Sequence, residues 1–344
     1  MTRRRKAFTA AVSVWLFASG GLCLPVAGRD VNLSLRPQKA PSEIGRWSLL
    51  PPEASLIDGD AAPLYEKAVK ALPDKAGDKQ IRDWLGIPAD QLPVEQVEPV
   101  LTQYMESLKC VARAVKCRQC NWPVWKPGDQ VANLDEYRRI AFAVRLWARL
   151  EIAQEGYEGA ILALQTGFGM ARQHGQAPTI GQVLLATAAG HSLCREVEEF
   201  VQGKEAPNLH PALAGLPRPF IDVEKAIESE KKAASSGLTG KLLSRQFESQ
   251  LKPAHDRSRV IVKRFDSNLA ALQCVEAIRS YVAAHNGQLP AMLADITEVT
   301  VPKDPMNGEP FHYARTGATA TLESFLPPGG SERERVRYEI SIRN

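Results

Sequence analysis

Four consecutive segments between residues 95 and 203 carry apolar side chains at helical spacing, and they are separated by loops, two of which are at most five residues long. The segments span about 95–116, 134–155, 157–173 and 179–202. Apolar residues that recur at i, i+3 and i+4 share one helix face, which must be buried against another element. Helices joined by such short loops pack antiparallel to their neighbours. The pattern therefore predicts a body of antiparallel helical hairpins at 61–203, not a parallel sheet.

Two features inside this body give local expectations. Thr179 is typical of a residue that caps the N-terminus of a helix, so we expect the fourth helix to begin just after it. On the second helix, Arg138, Arg145 and Arg149 lie away from the apolar stripes. Charged side chains are usually exposed unless they are paired, so these three are expected to face solvent.

The segments on both sides of the helical body are less regular. Residues 29–60 are rich in Pro, so we expect a linker with at most one short strand. Residues 204–266 begin with another Pro-rich stretch and continue with polar helical patterns at 222–234 and 239–265. We therefore interpret 204–266 as a connector between the body and a C-terminal part.

The C-terminal part, residues 267–344, begins with one predicted helix, after which the amino-acid pattern becomes typical of strands and turns. Apolar spacing predicts that helix at 268–284, and an Asn-Gly pair ends it. Thr and Val then become frequent at 297–301. Aromatic residues follow further along the chain, separated from one another by Pro and Gly. These signals predict a small antiparallel sheet with Gly308 in a turn between two strands. The expected fold class is mainly α, with a small C-terminal α+β module.

The first 28 residues have the layout of a secretory signal peptide. A basic run precedes the uncharged stretch 7–24, and Val26 and Gly28 supply small side chains before a cleavage point. Cleavage there would produce an exported protein, located in the periplasm of a bacterium. The alternatives are an inner-membrane anchor formed by residues 7–24 and a lipoprotein modified at Cys23.

The same leader accounts for the net charge of the chain. The chain has 43 Lys and Arg against 39 Asp and Glu, and four of the basic residues lie in the leader. The rest is neutral and has no overall field to attract nucleic acid or an anionic membrane. We therefore expect no nucleic-acid partner, and contact with a membrane only through an uncleaved leader.

Cys117-x-x-Cys120 is the most visible motif. A redox pair of this kind sits in a thioredoxin-like strand-to-helix turn, which the flanking pattern lacks. Asn121 stands where covalent haem attachment needs His. A zinc site needs two further ligands, and Cys110 is the one candidate. A structural disulfide and two free thiols both stay open, and we predict no metal and no cofactor.

The other candidate functional residues give weaker signals. Trp122 and Trp125 lie among Pro residues and form a candidate exposed aromatic ledge for a partner, with capping of the core as the alternative. His191, Cys194 and Glu198 share one side of the fourth helix, a spacing that suits metal ligands. Cys194 lies within an apolar stripe, so a packing role is expected instead. The sequence contains no nucleophile elbow, phosphate loop or zinc-protease helix motif.

Part of the helical body resembles a tetratricopeptide repeat. The run from Ala148 to Ala160 contains a helix, a Gly156-Tyr157 turn and an Ala-started second helix, which is the pattern of one such unit. The resemblance implies an antiparallel helical hairpin of the kind that lines a binding groove. Only one copy is clear, so it does not imply a regular solenoid.

The C-terminal part resembles the soluble domain of type II secretion pseudopilins. The matching residues run from Tyr281 to Pro290 and continue in the Asp304-Pro305…Gly308…Tyr313 run. The resemblance implies a helix, a turn and a β-hairpin. Pseudopilins carry this module directly behind a membrane helix, whereas here more than 200 residues separate it from the only long apolar segment. The acidic calcium loop of the major pseudopilin has no counterpart at 327–335, so no calcium site is implied.

These features together favour a non-catalytic exported envelope protein that holds other envelope proteins in its helical grooves. The combination of leader, helical body and pseudopilin-like end resembles a group of uncharacterised exported bacterial proteins, and that resemblance implies no activity. The alternative is an exported hydrolase-type enzyme, with or without a metal, whose site carries no familiar motif. A cleft with converging His, Asp and Glu side chains would favour the enzyme.

Overall fold

The chain is described here by a computed structural model that covers residues 30–41, 47–123, 133–235, 240–327, 330–332 and 335–343. At 234–235 and 240–250 it describes the backbone alone. The predicted leader at 1–28 and Trp125 lie outside the described residues. Within them, the chain is mainly helical with a small sheet region, as the sequence predicts.

The helices follow the apolar stripes closely. They are α1 (Ala62–Lys70), α2 (Asp78–Trp84), α3 (Val94–Gln103), α4 (Met105–Ala114), α5 (Leu134–Ala153), α6 (Tyr157–His174), α7 (Ile180–Phe200), α8 (His210–Ala214), α9 (Val223–Ser235) and α10 (Gly240–Ala284). The second, third and fourth predicted helices are confirmed as α5, α6 and α7, which pack on one another in turn. Thr179 caps α7 as expected, because its side chain accepts the backbone N–H of Gln182.

Two predicted helix boundaries were wrong. The single helix expected at 95–116 is divided at Tyr104, whose buried ring directs its hydroxyl to Asp78 Oδ1 at 2.8 Å. The two helices expected at 239–265 and 268–284 are one helix, α10. The polar residues Asp266 and Ser267, which separate the two predicted helices, are buried within α10 and bind the chain packed against it, at the Phe220 N–H and the Asp304 carboxylate.

The strands form two small sheets. They are β1 (Asp30–Leu35), β2 (Ile57–Asp60), β3 (Cys117–Gln119), β4 (His312–Thr316), β5 (Thr319–Glu323) and β6 (Arg337–Ile342). The larger sheet has the order β1-β6-β5-β4, in which β4, β5 and β6 are antiparallel and β1 is parallel to β6. The smaller sheet pairs β2 with β3 in parallel.

The Pro-rich segment 29–60 is more than a linker with one short strand, because its described part contains two strands, β1 and β2. Its strand β1 completes the C-terminal sheet, where Leu33 lies opposite Ile340. Leu33, Leu35 and Leu49 are all buried in the main core. The N-terminal segment and the C-terminal module therefore share one sheet, although about 300 residues separate their strands.

The expectation that Arg145 and Arg149 face solvent was wrong. They are only 5% and 3% exposed, and both bind the buried carboxylate of Glu196 on α7, at 2.6 and 2.8 Å. α5 is covered on more than one side, since Arg149 also donates to the backbone carbonyl of Leu85 at 3.0 Å. Only Arg138 keeps the expected surface position, where it pairs with an Asp one turn away.

The C-terminal turn is built around the carboxylate of Asp304. Its Oδ1 accepts from the Ser267 hydroxyl at 2.7 Å and from the Met306 N–H at 2.9 Å, and its Oδ2 accepts the Phe325 N–H at 2.6 Å. Asp304 is 1% exposed. A buried carboxylate with this many donors joins α10, the turn and the segment after β5.

Gly308 was predicted in a turn between two strands, and that prediction was only half right. Gly308 has φ +78° and its N–H bonds to the carbonyl of Asp304 at 2.8 Å, so it does lie in a turn. No strand precedes it, because residues 297–301 run as irregular chain. The turn between β4 and β5 uses Gly317 instead, with φ +62°.

Gly190 marks a close approach between α7 and α10 and gives a first prediction. A Cβ atom at this position would overlap the ring of Phe265 on α10. We expect Gly190→Ala to lower the free energy of unfolding by about 1–3 kcal/mol through overpacking, as measured by urea unfolding. Gly77→Ala is the control, because its Cβ would meet only Val100 Cγ1 at 3.5 Å. Equal effects of the two substitutions would contradict the close packing.

Candidate functional site

The Cys117-x-x-Cys120 motif lies on β3 and just beyond it. Cys117 is buried, with Sγ 3.7 Å from the carbonyl of Arg113, and Cys120 is half-buried. Neither is in a disulfide in this structure. In an extended chain, Cα atoms three residues apart are separated by about 10 Å, whereas a disulfide needs roughly 4.4–6.8 Å. A bridge between the two cysteines therefore requires β3 to change its conformation.

Both thiols lie in surroundings that keep them protonated. Burial, followed by the charge of Asp60, raises the pKa of Cys120 to about 12. Burial also raises the pKa of Cys117. Since the thiolate is the nucleophile and the metal ligand, this environment suppresses both kinds of chemistry at neutral pH.

Trp122 is docked against the helical body. Its indole N–H donates to the backbone carbonyl of Gln173 at 2.9 Å, and its ring stacks on Tyr65 with centroids 5.6 Å apart. The side chain is half-buried and packs against the core. This position fits the capping alternative for Trp122 better than a freely exposed ledge, and the predicted partner of that ledge, Trp125, lies outside the described residues.

His174 is enclosed by an aromatic box, which we define as the rings of Tyr65, Trp122 and Tyr137. The three ring centroids lie 4.7, 4.5 and 4.5 Å from that of the imidazole. His174 is 1% exposed, and neither of its ring nitrogens has a hydrogen-bond partner among the described residues. Burial lowers its pKa to about 3, so the imidazole is neutral at physiological pH. Unpaired buried polar groups are rare in proteins, which makes the box a candidate site.

Gln173 connects the box to the cysteine segment. Its Oε1 accepts from the Tyr65 hydroxyl at 2.6 Å, and its Nε2 donates to the carbonyls of Ala114 and Cys117 at 3.1 and 3.2 Å. One side chain at the end of α6 therefore ties α1, the end of α4 and β3 together. Sequence reasoning missed the box because Tyr137, Trp122 and Tyr65 lie 37, 52 and 109 residues before His174, and no local motif joins them.

A second buried pair lies at the N-terminus of α7. Glu230 Oε1 accepts the backbone N–H of Ile180 at 2.8 Å, while its Oε2 lies 4.0 Å from His255 Nε2. Neither of these last two atoms has a hydrogen-bond partner in the described part of the chain. Burial raises the pKa of Glu230 to about 7 and lowers that of His255. A carboxyl group poised near neutral pH beside an imidazole is an arrangement suited to acid–base chemistry.

His191, Cys194 and Glu198 lie on one side of α7 as predicted, and all three are buried. Glu198 Oε1 accepts from the Tyr338 hydroxyl at 3.0 Å, which ties α7 to β6. Across the ranges that the structure describes, no three His, Cys, Asp or Glu side chains are grouped so that they could hold a metal ion. The same ranges contain no helix long and apolar enough to cross a membrane.

The chain was also compared with known proteins. No protein-family model, no curated protein and no solved structure matches it.

Proposed function

We propose that this chain is a non-catalytic exported protein of the bacterial cell envelope that acts as an interaction or scaffold module for other envelope proteins. One observation carries the proposal: the buried charged side chains of the helical body bridge one element to the next. Arg145, Arg149 and Glu196 join α5 to α7 in this way. Because these buried charged side chains are already paired with one another, they hold the helices rigidly together. Such a body is suited to presenting a surface of fixed shape to a partner.

A second buried network supports the same proposal. Arg279 on α10 pairs with Glu276 at 2.7 Å and donates to the carbonyls of Arg36 and Ala206 at 3.1 and 2.9 Å. Glu276 in turn accepts the N–H of Leu209 at 2.7 Å. These hydrogen bonds connect α10 to the chain before the helical body, at Arg36, and to the chain after it, at Ala206 and Leu209. We therefore propose that the sheet region and the helical body act as one rigid unit.

The finer architecture is part of the proposal. We propose that α5 and α6 form a tetratricopeptide-like hairpin, supported by the short turn at Gly156 between them. We propose that the end of α10 with β4, β5 and β6 forms a pseudopilin-like module, supported by a helix followed by an antiparallel hairpin. The added parallel strand β1 is a departure from what that resemblance implies.

Site-specific photo-crosslinking tests the interaction proposal. Leu162, on α6, is 45% exposed and offers an apolar contact on the hairpin surface. We expect a crosslinking residue at position 162 to yield a discrete adduct with an envelope protein, and the reverse substitution Leu162→Glu to abolish the complex of the two purified proteins. Met292, also exposed, is the control position. A complex that survives Leu162→Glu would place the interaction elsewhere, and no adduct at any exposed position would contradict the proposal.

The alternative function, an exported hydrolase, is favoured by the Glu230–His255 pair alone. If it is correct, Glu230→Gln and His255→Gln should abolish hydrolysis of ester, phosphate or peptide substrates while the far-UV circular dichroism stays unchanged. Under the scaffold proposal, the same variants should keep the envelope-protein complex intact. The two functions therefore predict effects on different measurements: the hydrolase predicts an activity that these substitutions remove, and the scaffold predicts a complex that they leave intact.

The location of the protein gives a separate prediction. We expect the mature chain to begin near Arg29, because the uncharged stretch 7–24 ends before the small residues Val26 and Gly28. N-terminal sequencing of the periplasmic fraction measures this directly. An intact Met1 in the inner-membrane fraction would instead support the anchor formed by residues 7–24.

A further inference from the structure

The segment from Cys117 to Trp122 is held in place at both of its ends. At the first end, β3 pairs with β2, and the Ile57 N–H donates to the carbonyl of Lys116 at 2.8 Å. At the other end, Asp60 Oδ1 accepts the Asn121 N–H at 2.8 Å, and the Ala61 N–H donates to the carbonyl of Gln119 at 2.9 Å. These bonds keep the segment extended.

The same segment closes the aromatic box. Trp122 follows Cys120 by two residues, and its ring forms one wall around His174, 4.5 Å away. The indole is held there by its bond to the Gln173 carbonyl and by its stacking on Tyr65. The extended conformation that separates the cysteines therefore also keeps the box shut.

We propose that Cys117 and Cys120 form a redox latch on the aromatic box. Bringing the two Cα atoms from about 10 Å to disulfide distance cannot be done while β3 stays paired with β2. The disulfide and the docked Trp122 are therefore alternatives: the thiol state keeps the box closed, and the disulfide state holds the segment away and uncovers His174, Tyr65 and Tyr137. This inference goes beyond the proposed function and does not depend on it.

The chemistry is an ordinary thiol–disulfide exchange with a small-molecule disulfide, such as oxidised glutathione. One cysteine thiolate attacks the small disulfide, forms a mixed disulfide and releases one small thiol. The second cysteine thiolate then displaces the second small thiol and forms the intramolecular bond. The protein loses two electrons and two protons, and the small disulfide is reduced to two thiols. Because Cys117 is buried, Cys120 is half-buried and both thiols are protonated in the closed state, attack has to await opening of the segment.

The rate of this oxidation tests the latch in the full-length chain. We expect the reduced native protein to form the Cys117–Cys120 bond about a hundredfold more slowly with oxidised glutathione than the urea-unfolded protein does. Trp122→Ala removes one wall of the box, so it should speed the reaction by about tenfold. Trp147→Ala is the matched control, because Trp147 is also half-buried and its indole bonds to Glu151 on its own helix. Peptide mapping by mass spectrometry locates the bond.

A second variant and a second measurement separate opening from general destabilisation. Asp60→Ala removes the acceptor for the backbone N–H groups of Asn121 and Ala62, so it should also speed oxidation. Asp60→Asn keeps an acceptor oxygen and removes only the charge that, after burial, raises the pKa of Cys120, so it should speed oxidation less. In the oxidised protein, the amides of Ile57 and Asn121 should lose protection from hydrogen exchange, while the amides of α7 keep theirs. The latch is wrong if the native and unfolded proteins oxidise equally fast, or if Trp122→Ala acts no more than Trp147→Ala. It is also wrong if the oxidised protein keeps the protection at Asn121.

Discussion

Replacing Glu196 by Ala is expected to lower the free energy of unfolding by about 3–5 kcal/mol. The side chain of Glu196 is fully buried between two guanidinium groups and accepts four of their N–H bonds, two from Arg145 at 2.9 and 2.6 Å and two from Arg149 at 2.8 and 3.0 Å. Removing the carboxylate leaves buried Arg145 without its ion-pair partner and leaves Arg149 with only the longer contact to Glu199, at 3.9 Å. The cost of such an uncompensated charge far exceeds the net value of the ion pair.

The controls for this prediction use the same residue type in different surroundings. Glu106→Ala breaks an exposed pair with Lys109, both of whose side chains are mostly in water, and should change stability by about 0.5 kcal/mol or less. Glu196→Gln keeps an acceptor oxygen and should give an intermediate loss. Urea unfolding monitored by circular dichroism at pH 7 gives all three values. If Glu196→Ala cost no more than Glu106→Ala, the buried network would not brace the body as we propose.

The arginines of α5 show which features of the structure can be predicted from the sequence alone and which cannot. The apolar stripes located α5, α6 and α7 correctly, because each helix has one face that must be buried. The same reasoning assigned Arg145 and Arg149 to solvent, since a polar face is normally the exposed one. Whether a second layer covers that face depends on Glu196, about 50 residues away, and on the chain around Leu85. No periodicity within one helix contains that information.

Long-range pairing limits the prediction of the sheet for a similar reason. Apolar and polar residues alternate at 338–342, which is typical of a strand, but nothing in residues 30–35 identifies β6 as their partner rather than another sheet edge. The candidate site is limited in the same way. The Cys-x-x-Cys motif was visible, whereas its relation to His174 depends on four separate stretches of chain meeting around Gln173. A lone His at the end of a helix looks like a helix-terminus residue, and its burial in an aromatic box becomes apparent only in three dimensions.

Buried histidines should make the protein lose stability in acid. The folded pKa values of His174 and His191 are lowered to about 3 and about 4, mainly by burial, whereas the ordinary value is about 6.5. Below pH 6.5 the unfolded chain binds protons at these positions and the folded chain does not. Each His therefore lowers the free energy of unfolding by about 1.4 kcal/mol per pH unit until its folded pKa is reached. Glu230 acts in the opposite direction, because its pKa is raised to about 7 and folding then gains a proton in acid.

His174→Phe isolates the contribution of the aromatic box. Phe keeps a flat aromatic ring, although a larger one, and cannot be protonated. Between pH 7 and pH 4.5 the variant should therefore lose about 3 kcal/mol less stability than the wild-type protein, whatever its stability at pH 7. Glu230 and His191 are present in both proteins and cancel from the comparison. His312→Phe is the control, because the side chain of His312 is 72% exposed on β4. Urea unfolding at the two pH values measures the difference, and an equal acid loss in wild type and His174→Phe would show that His174 is solvated or hydrogen-bonded rather than enclosed.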